Sequence, residues 1–264
     1  MKLDGCSAVI TGASAGIGRE FARSLAQRAS RLILVARRRD RLEQLRAELI
    51  AAHPSLRVDV REVDLSRLEQ TMQFADALAN ESIDFLINNA GLGDLGAFAS
   101  ADPVRVNEQV QVNVLALTAL TRAVLPRMIE NRRGAILNVS SSAGFLPVAE
   151  YSVYAATKAY VNSFSEGLRA DLRGTGVRVC ALCPGPVHTE FLEAARRRGQ
   201  PSLESGDGVA HVSAMDVVRA GLRAIERDRP VVIPGLVMKI GMFLLRLTPM
   251  PILRPVLQLL RRHA

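Results

Sequence analysis

Lysine is scarce in this chain. Of the 34 lysines and arginines in 264 residues, three are lysines: Lys2, Lys158 and Lys239. Arginine does the ordinary surface work of a cation here. A lysine kept among so many arginines points to a task that a planar, permanently charged guanidinium cannot perform. Tryptophan is absent and tyrosine occurs three times, which leaves no series of aromatic platforms for stacked bases. The net charge of +8 and the arginine clusters at 37–41, 196–198 and 261–262 come with no nucleic-acid-binding motif, so no nucleic-acid partner is expected. Cysteine occurs three times, an odd number that argues against a disulfide framework and for a reducing cytoplasm. The start, Met-Lys-Leu-Asp-Gly-Cys-Ser, lacks the apolar stretch of a cleaved leader. The carboxyl-terminal stretch does not read as a membrane span, because Lys239, Arg246, Pro249, Pro251, Arg254 and Pro255 break it before about 18 apolar residues accumulate.

What is present begins with Tyr154-Ala-Ala-Thr-Lys158. On a helix these two residues share a face. An ammonium beside a phenol favours phenolate and lowers the tyrosine pKa from ~10 towards working pH, which makes Tyr154 a candidate general acid or base. Taken alone, the pair also fits a plain surface helix.

The chain is 48% apolar and 23% charged, enough for one large α/β core. Short Val/Ile/Leu runs at Ser7–Thr11, Arg31–Ala36, Arg57–Val63, Phe85–Asn88, Ala135–Val139, Val177–Leu182 and Val231–Ile233 read as strands, with helical periods between them. That alternation predicts a doubly wound parallel sheet of the Rossmann type in a single domain over 1–264, its core at about 5–235 and a helical extension at about 236–264. Ligands of such sheets bind at the carboxyl ends of the strands. There the chain places Thr11-Gly12-Ala13-Ser14-Ala15-Gly16-Ile17-Gly18, Asn88-Asn89-Ala90-Gly91, Ser140-Ser141-Ser142 and Pro184-Gly185. Glycines at the first strand-to-helix turn suit a pyrophosphate held at a helix N-terminus. The second strand ends Ala36-Arg37-Arg38-Arg39. A preference for NAD calls for an acidic residue roughly twenty positions past the glycines, whereas arginine accommodates a 2′-phosphate. Arg37 therefore points to NADP(H) over NAD(H).

With these pieces placed, the chain resembles the short-chain dehydrogenase/reductase family over residues 5–235. Its motifs occur in order: the turn 11–18, Asp64 after the third strand, Asn88-Asn89-Ala90-Gly91, Asn113 in Val-Asn-Val, Ser141, Tyr154, Lys158 and Pro184-Gly185-Pro186-Val187-His188-Thr189. The resemblance implies a catalytic Ser141, Tyr154 and Lys158, with Asn113 supporting a water relay to the lysine. It implies cofactor contacts from Gly12, Ser14, Gly16, Ile17, Gly18, Asp64 (towards adenine), Asn89, Ala90, Gly91, Tyr154, Lys158, Pro184, Gly185, Val187 and Thr189 (towards the nicotinamide carboxamide). Ser141 is singled out from its neighbours by lying thirteen residues before Tyr154. Asn113, inside the helix expected at Pro103–Asn131, reads from the residues alone as an exposed polar position. Helices 103–131 and 153–172 resemble the pair through which family members form dimers and tetramers, so a homodimer or homotetramer is expected.

Competing readings are weaker. Gly12-Ala13-Ser14-Ala15-Gly16 matches the nucleophile elbow of esterases, but the upstream oxyanion loop has no room in eleven residues. Cys180 and Cys183 match C-x-x-C, but three apart on a strand they face opposite sides, so no metal is expected. A non-enzymatic NADP(H) sensor on the same fold remains the alternative of a different class. The loop 187–212 reads as a lid or a surface excursion. The tail 236–264 fits a greasy substrate entrance, a subunit contact or a peripheral contact with anionic lipid. The substrate is expected to be an apolar ketone or aldehyde, 3-oxoacyl or steroid-like, or the matching alcohol.

Overall fold

The runs that read as strands are strands because each must serve two cores at once. In a computed structural model, residues 2–187, 189–197, 212–249 and 251–254 are described. Among these, β1 (Ser7–Thr11), β2 (Arg31–Ala36), β3 (Arg57–Glu62), β4 (Phe85–Asn88), β5 (Gly134–Val139), β6 (Val177–Leu182) and β7 (Val231–Val232) form one seven-stranded sheet in the order β3-β2-β1-β4-β5-β6-β7. All pairings are parallel. Ala8, Ile10, Leu32, Leu34, Ile87 and Leu137 point to one face, where α1 (Gly16–Ala26), α2 (Arg39–Ala52) and α8 (Ala214–Glu226) cover them. Val9, Ile33, Leu86, Ile136 and Val179 point to the other, beneath α3 (Leu68–Ala79) and α5 (Leu117–Glu130). Alternate residues are therefore all apolar, and the runs lose the polar alternation of a half-exposed sheet. The order reverses between β1 and β4, which opens a crevice at their carboxyl ends.

Boundaries differ in small ways. β3 stops at Glu62, β5 begins at Gly134 and β7 is cut to two residues. After β2, α2 begins at Arg39. The long helix expected at Pro103–Asn131 is divided: α4 (Pro103–Val110) opens on an Asp102 cap that accepts from the Val104 N–H at 2.9 Å, a π-helical turn spans Gln111–Ala116, and α5 follows. Its length and apolarity would suffice to cross a membrane, but half of that stretch is buried in the fold. α6 occupies Ser152–Asp171, and the loop after β6 holds a short α7 (Glu190–Ala195). His188, the Gly199–Ser202 and Ser205–Gly208 stretches of the expected lid, and the end of the tail from Pro255, including Arg261 and Arg262, lie outside the described residues.

Beneath the crevice a buried polar chain ties four elements together. Asn88 Nδ2 donates to Thr121 Oγ1 at 3.0 Å and to Asn138 Oδ1 at 2.9 Å, and Asn138 Nδ2 donates to Ser165 Oγ at 2.9 Å. Asn138→Ala leaves an Asn88 N–H without a partner in the core. It is expected to cost about 1–3 kcal/mol, read as a lower urea midpoint at unchanged slope. An unchanged midpoint would mean that the chain contributes nothing to stability.

Candidate active site

At the turn after β1, Thr11 and Asn89 clamp the two strands that part at the crevice. Thr11 Oγ1 accepts from the backbone N–H groups of Asn89 and Ala90, each at 2.9 Å, and Asn89 Nδ2 donates to the Thr11 carbonyl at 2.9 Å. Gly12 adopts φ +67°, and a Cβ on Gly18 would stand 2.3 Å from the Gly12 carbonyl oxygen. Only glycine allows the turn and the helix to approach this closely. α1 then opens at Gly16 with no side-chain cap and no acidic residue in its first turn, so its leading N–H groups are left for an anion. Thr189, whose Oγ1 caps α7 by accepting from the Phe191 N–H at 3.4 Å, packs its side chain on the same turn.

The arginines at the end of β2 divide their roles. Arg37 is exposed and makes no ion pair among the described residues. Arg38 folds over the glycine turn and donates from Nε and Nη2 to Ser14 Oγ at 3.3 and 3.1 Å. Its Nη1 pairs with Glu190 at 2.9 Å, and Arg41 pairs with the same carboxylate at 2.6 Å. Two guanidinium groups hold the Glu190 carboxyl below its ordinary value. Asp64 accepts from the Ser66 N–H at 3.0 Å and from its hydroxyl at 2.7 Å.

The other end of the crevice is built by β5 and α6. Ser140 donates its hydroxyl to the Lys158 carbonyl at 3.0 Å. Ser141 is extended (φ −161°), accepts from the Ala143 N–H at 3.1 Å and stands beside Tyr154. One turn of α6 separates Tyr154 from Lys158, and both are buried. Lys158 Nζ donates to the Val139 carbonyl at 2.8 Å and lies 5.7 Å from the centre of the Tyr154 ring. Burial pushes Lys158 down to about 8. Burial likewise pushes the Tyr154 phenol up to about 12, opposed by a hydrogen bond from Ser141. This corrects the expectation that the cation lowers the tyrosine. Nζ is aimed at a carbonyl rather than at the phenol, so loss of solvent dominates both groups.

Asn113 is also unlike the exposed residue that helical spacing suggests. It sits in the π-helical turn, 1% exposed. Its Nδ2 donates to the Leu92 carbonyl at 2.9 Å and to Thr157 Oγ1 at 3.0 Å, and its Oδ1 accepts from the Leu92 N–H at 2.8 Å. The extra residue of a π turn rotates one side chain off the regular face. Asn113 Oδ1 and Lys158 Nζ each lie 3.5 Å from where a Cβ on Gly91 would stand.

One cleft of about 540 Å³ joins the two ends. It is lined by Gly12, Ser14, Gly16, Ile17, Arg37, Asp64, Asn89, Ala90, Gly91, Ser141, Tyr154, Lys158, Pro184, Gly185, Val187 and Thr189. Gly18 and Asn113 stand behind the wall. Among the described residues no cluster of His, Cys, Asp and Glu suits a metal, and Cys180 and Cys183 are buried thiols outside any disulfide. The sequence reading missed Arg38, Glu190 and Tyr151. Tyr151 stacks on Tyr154 with ring centres 4.3 Å apart, borders Phe191 through that ring, and buries a hydroxyl that finds no hydrogen-bond partner among the described residues. Its one signal in the sequence is its position a turn ahead of Tyr154.

The sequence model described as short chain dehydrogenase matches residues 7–200. The chain belongs to the short-chain dehydrogenases. This short-chain dehydrogenase is an oxidoreductase, 38% identical over 192 residues to the NADP-dependent 3-hydroxy acid dehydrogenase of Salmonella typhi, covering 72% of the chain and 76% of the relative. Its fold matches a Sphingobium yanoikuyae short-chain dehydrogenase solved with NADPH, at TM-score 0.79 and 34% identity over 88% of each chain. It also matches a Burkholderia phymatum family member solved with NAD, at TM-score 0.80 and 28% identity over 92% and 93% of the chains. Both nicotinamide cofactors thus occur among the likenesses of this short-chain dehydrogenase.

Proposed function

We propose that this dehydrogenase interconverts an apolar ketone or aldehyde and its alcohol with NADP(H). The observation that carries the reading is the convergence of Ser141, Tyr154 and Lys158 at one end of a cleft whose other end holds the glycine turn and arginines. The residues fit a dinucleotide: the glycine turn ends on the uncapped N-terminus of α1 at the cleft, and Ala36 stands where an acid would meet a ribose hydroxyl. Bound there, a reduced nicotinamide cofactor would supply the hydride for a carbonyl carbon. Ser141 accepts from the Ala143 N–H, and its hydroxyl proton, which bonds the Tyr154 phenol, would turn to the substrate oxygen when substrate binds. Tyr154, protonated at neutral pH, gives up the proton on its hydroxyl as negative charge develops. Lys158 keeps two N–H groups beyond the one spent on Val139 to hold a ribose and to pass a proton back to the phenol, with Asn113 supporting the relay beside Gly91. Oxidation of the alcohol runs the same steps in reverse.

A 3-oxoacyl or similar carbonyl suits the apolar wall of Leu92, Phe191 and Leu192, and the name of the Salmonella relative supports that class. Copies of the chain would meet through α4, the π-helical turn, α5 and α6, where Val104, Val110, Leu115, Ile129 and Tyr160 are exposed. Following NADPH oxidation across a panel of carbonyls tests the reading, and apolar 3-oxo esters should be reduced. Cofactor binding without turnover on any carbonyl would instead make the protein a sensor.

Specificity for NADPH is assigned to Arg38 beside Arg37, with Glu190 occupying Arg38 until a 2′-phosphate replaces it. Arg38→Ala is expected to weaken NADPH by ~1.5–3 kcal/mol, a roughly 10- to 150-fold rise in Kd, and to leave NADH nearly unchanged. Glu190→Gln should tighten NADPH alone. Fluorescence titration with both cofactors reads this, and equal losses for the two in Arg38→Ala would reject the assignment.

A further inference from the structure

The last acidic residue of the chain is Asp228. From Arg229 onward the sequence holds Arg229, Lys239, Arg246, Arg254, Arg261 and Arg262 and neither aspartate nor glutamate, although the whole chain carries 26 acidic residues. Within this stretch α9 (Leu236–Leu247) is apolar on two sides. At helical spacing Met238, Met242 and Leu245 share the face turned to the protein, where all three are half-buried. Met238 packs over Gly185 at the cleft mouth, where a Cβ would meet its Cε at 2.5 Å. Leu236, Ile240, Phe243, Leu244 and Leu247 share the opposite face, and each is more than half exposed, from 51% at Ile240 to 73% at Leu236. Lys239 is exposed between the two faces, and Ile252 and Arg254 are exposed beyond the helix. An ordinary surface helix hides one apolar stripe and turns charge to water. This helix turns a second apolar stripe to water instead.

We propose that the outer face of α9, with Lys239, Ile252 and Arg254 around it, docks on the surface of an anionic lipid bilayer. The twelve residues of α9 reach about 18 Å, short of a ~30 Å hydrocarbon core, so the helix lies in the interface rather than across it. Apolar side chains enter the acyl boundary while the cations meet lipid phosphates. A second copy is the poorer occupant, because pairing two such faces would bring together two stretches that carry cations and no acidic counterpart. Docking is independent of the reaction proposed above. It sets the cleft mouth near Gly185 close to the membrane surface.

The test uses the full chain with vesicles of phosphatidylcholine alone or mixed with phosphatidylglycerol, followed by sedimentation. Binding is expected to be at least about tenfold greater with phosphatidylglycerol and to fall at high salt. The quadruple change Leu236→Ser, Ile240→Ser, Phe243→Ser and Leu247→Ser should abolish binding while the melting curve by circular dichroism stays unchanged. Lys239→Glu with Arg254→Glu should weaken binding to phosphatidylglycerol vesicles and leave the melting curve unchanged. Three results would overturn the proposal: no vesicle binding, equal binding to both vesicles with no effect of the charge reversals, or a dimer by light scattering that the serine variant converts to monomer.

Discussion

Tyr154→Phe is expected to lower turnover in NADPH-dependent carbonyl reduction by ~10³-fold, within the range that a positioned proton donor supplies. The phenyl ring keeps the stack on Tyr151 at 4.3 Å and the edge against Phe191, so the wall of the cleft is preserved and cofactor affinity should be unchanged. What is lost is the proton on a phenol that burial holds at about 12. The measurement is kcat at saturating cofactor, with Kd for NADPH by fluorescence. Retained turnover would move the donor elsewhere, and Tyr151, with its free buried hydroxyl one turn away, is the group to test next. The Tyr151→Phe variant separates the two, since the proposed chemistry leaves its kcat within a few-fold of the parent.

Lys158→Arg is expected to cost at least ~100-fold in turnover although the charge is kept. A guanidinium is larger, cannot enter the space beside Gly91 as a point donor, and does not release a proton to a relay. The pH dependence distinguishes the relay from charge alone. Lys158 is pushed down to about 8 by burial, so its protonated form is present below that value and is lost above it. The parent's kcat/KM for reduction should therefore fall as pH rises through about 8. In Lys158→Arg that limb should move to higher pH, because arginine stays charged throughout. A parent profile flat through this region, or a variant with the parent's rate, would remove the relay. Folding carries the same sign: the unfolded chain binds this proton more tightly, so stability rises with pH between about 8 and 10.5.

Much of this protein is legible in its sequence because the signals are local. Strands such as Ser7–Thr11 and Phe85–Asn88 are short apolar runs, and the turn Gly12 to Gly18 is punctuated by residues whose backbone freedom the turn demands. Once the alternation of strand and helix places those turns at the same end of one sheet, Gly12, Asn89, Ser141 and Gly185 must meet there. The spacing of Tyr154 and Lys158 puts both on one face of α6 whatever surrounds them.

The remainder depended on distant partners. Arg38, rather than Arg37 alone, folds over Ser14, and Glu190 comes back from beyond β6 to hold it. Asn113 is buried because a π turn adds a residue, which no periodicity in Val-Asn-Val announces. Tyr151 buries a hydroxyl that finds no partner among the described residues, which local spacing does not announce. The Tyr154 phenol is pushed up rather than down, because helical spacing sets a shared face, not burial or the direction of Nζ. The sequence by itself determined the sheet, the order of the motifs and the chemical groups that face the crevice, since each follows from local backbone preference and periodicity. Tertiary structure alone decided that Arg38 bonds Ser14 and Glu190 while Arg37 stays exposed, and that Tyr154 and Lys158 are buried, since both depend on contacts and desolvation between residues far apart in the chain.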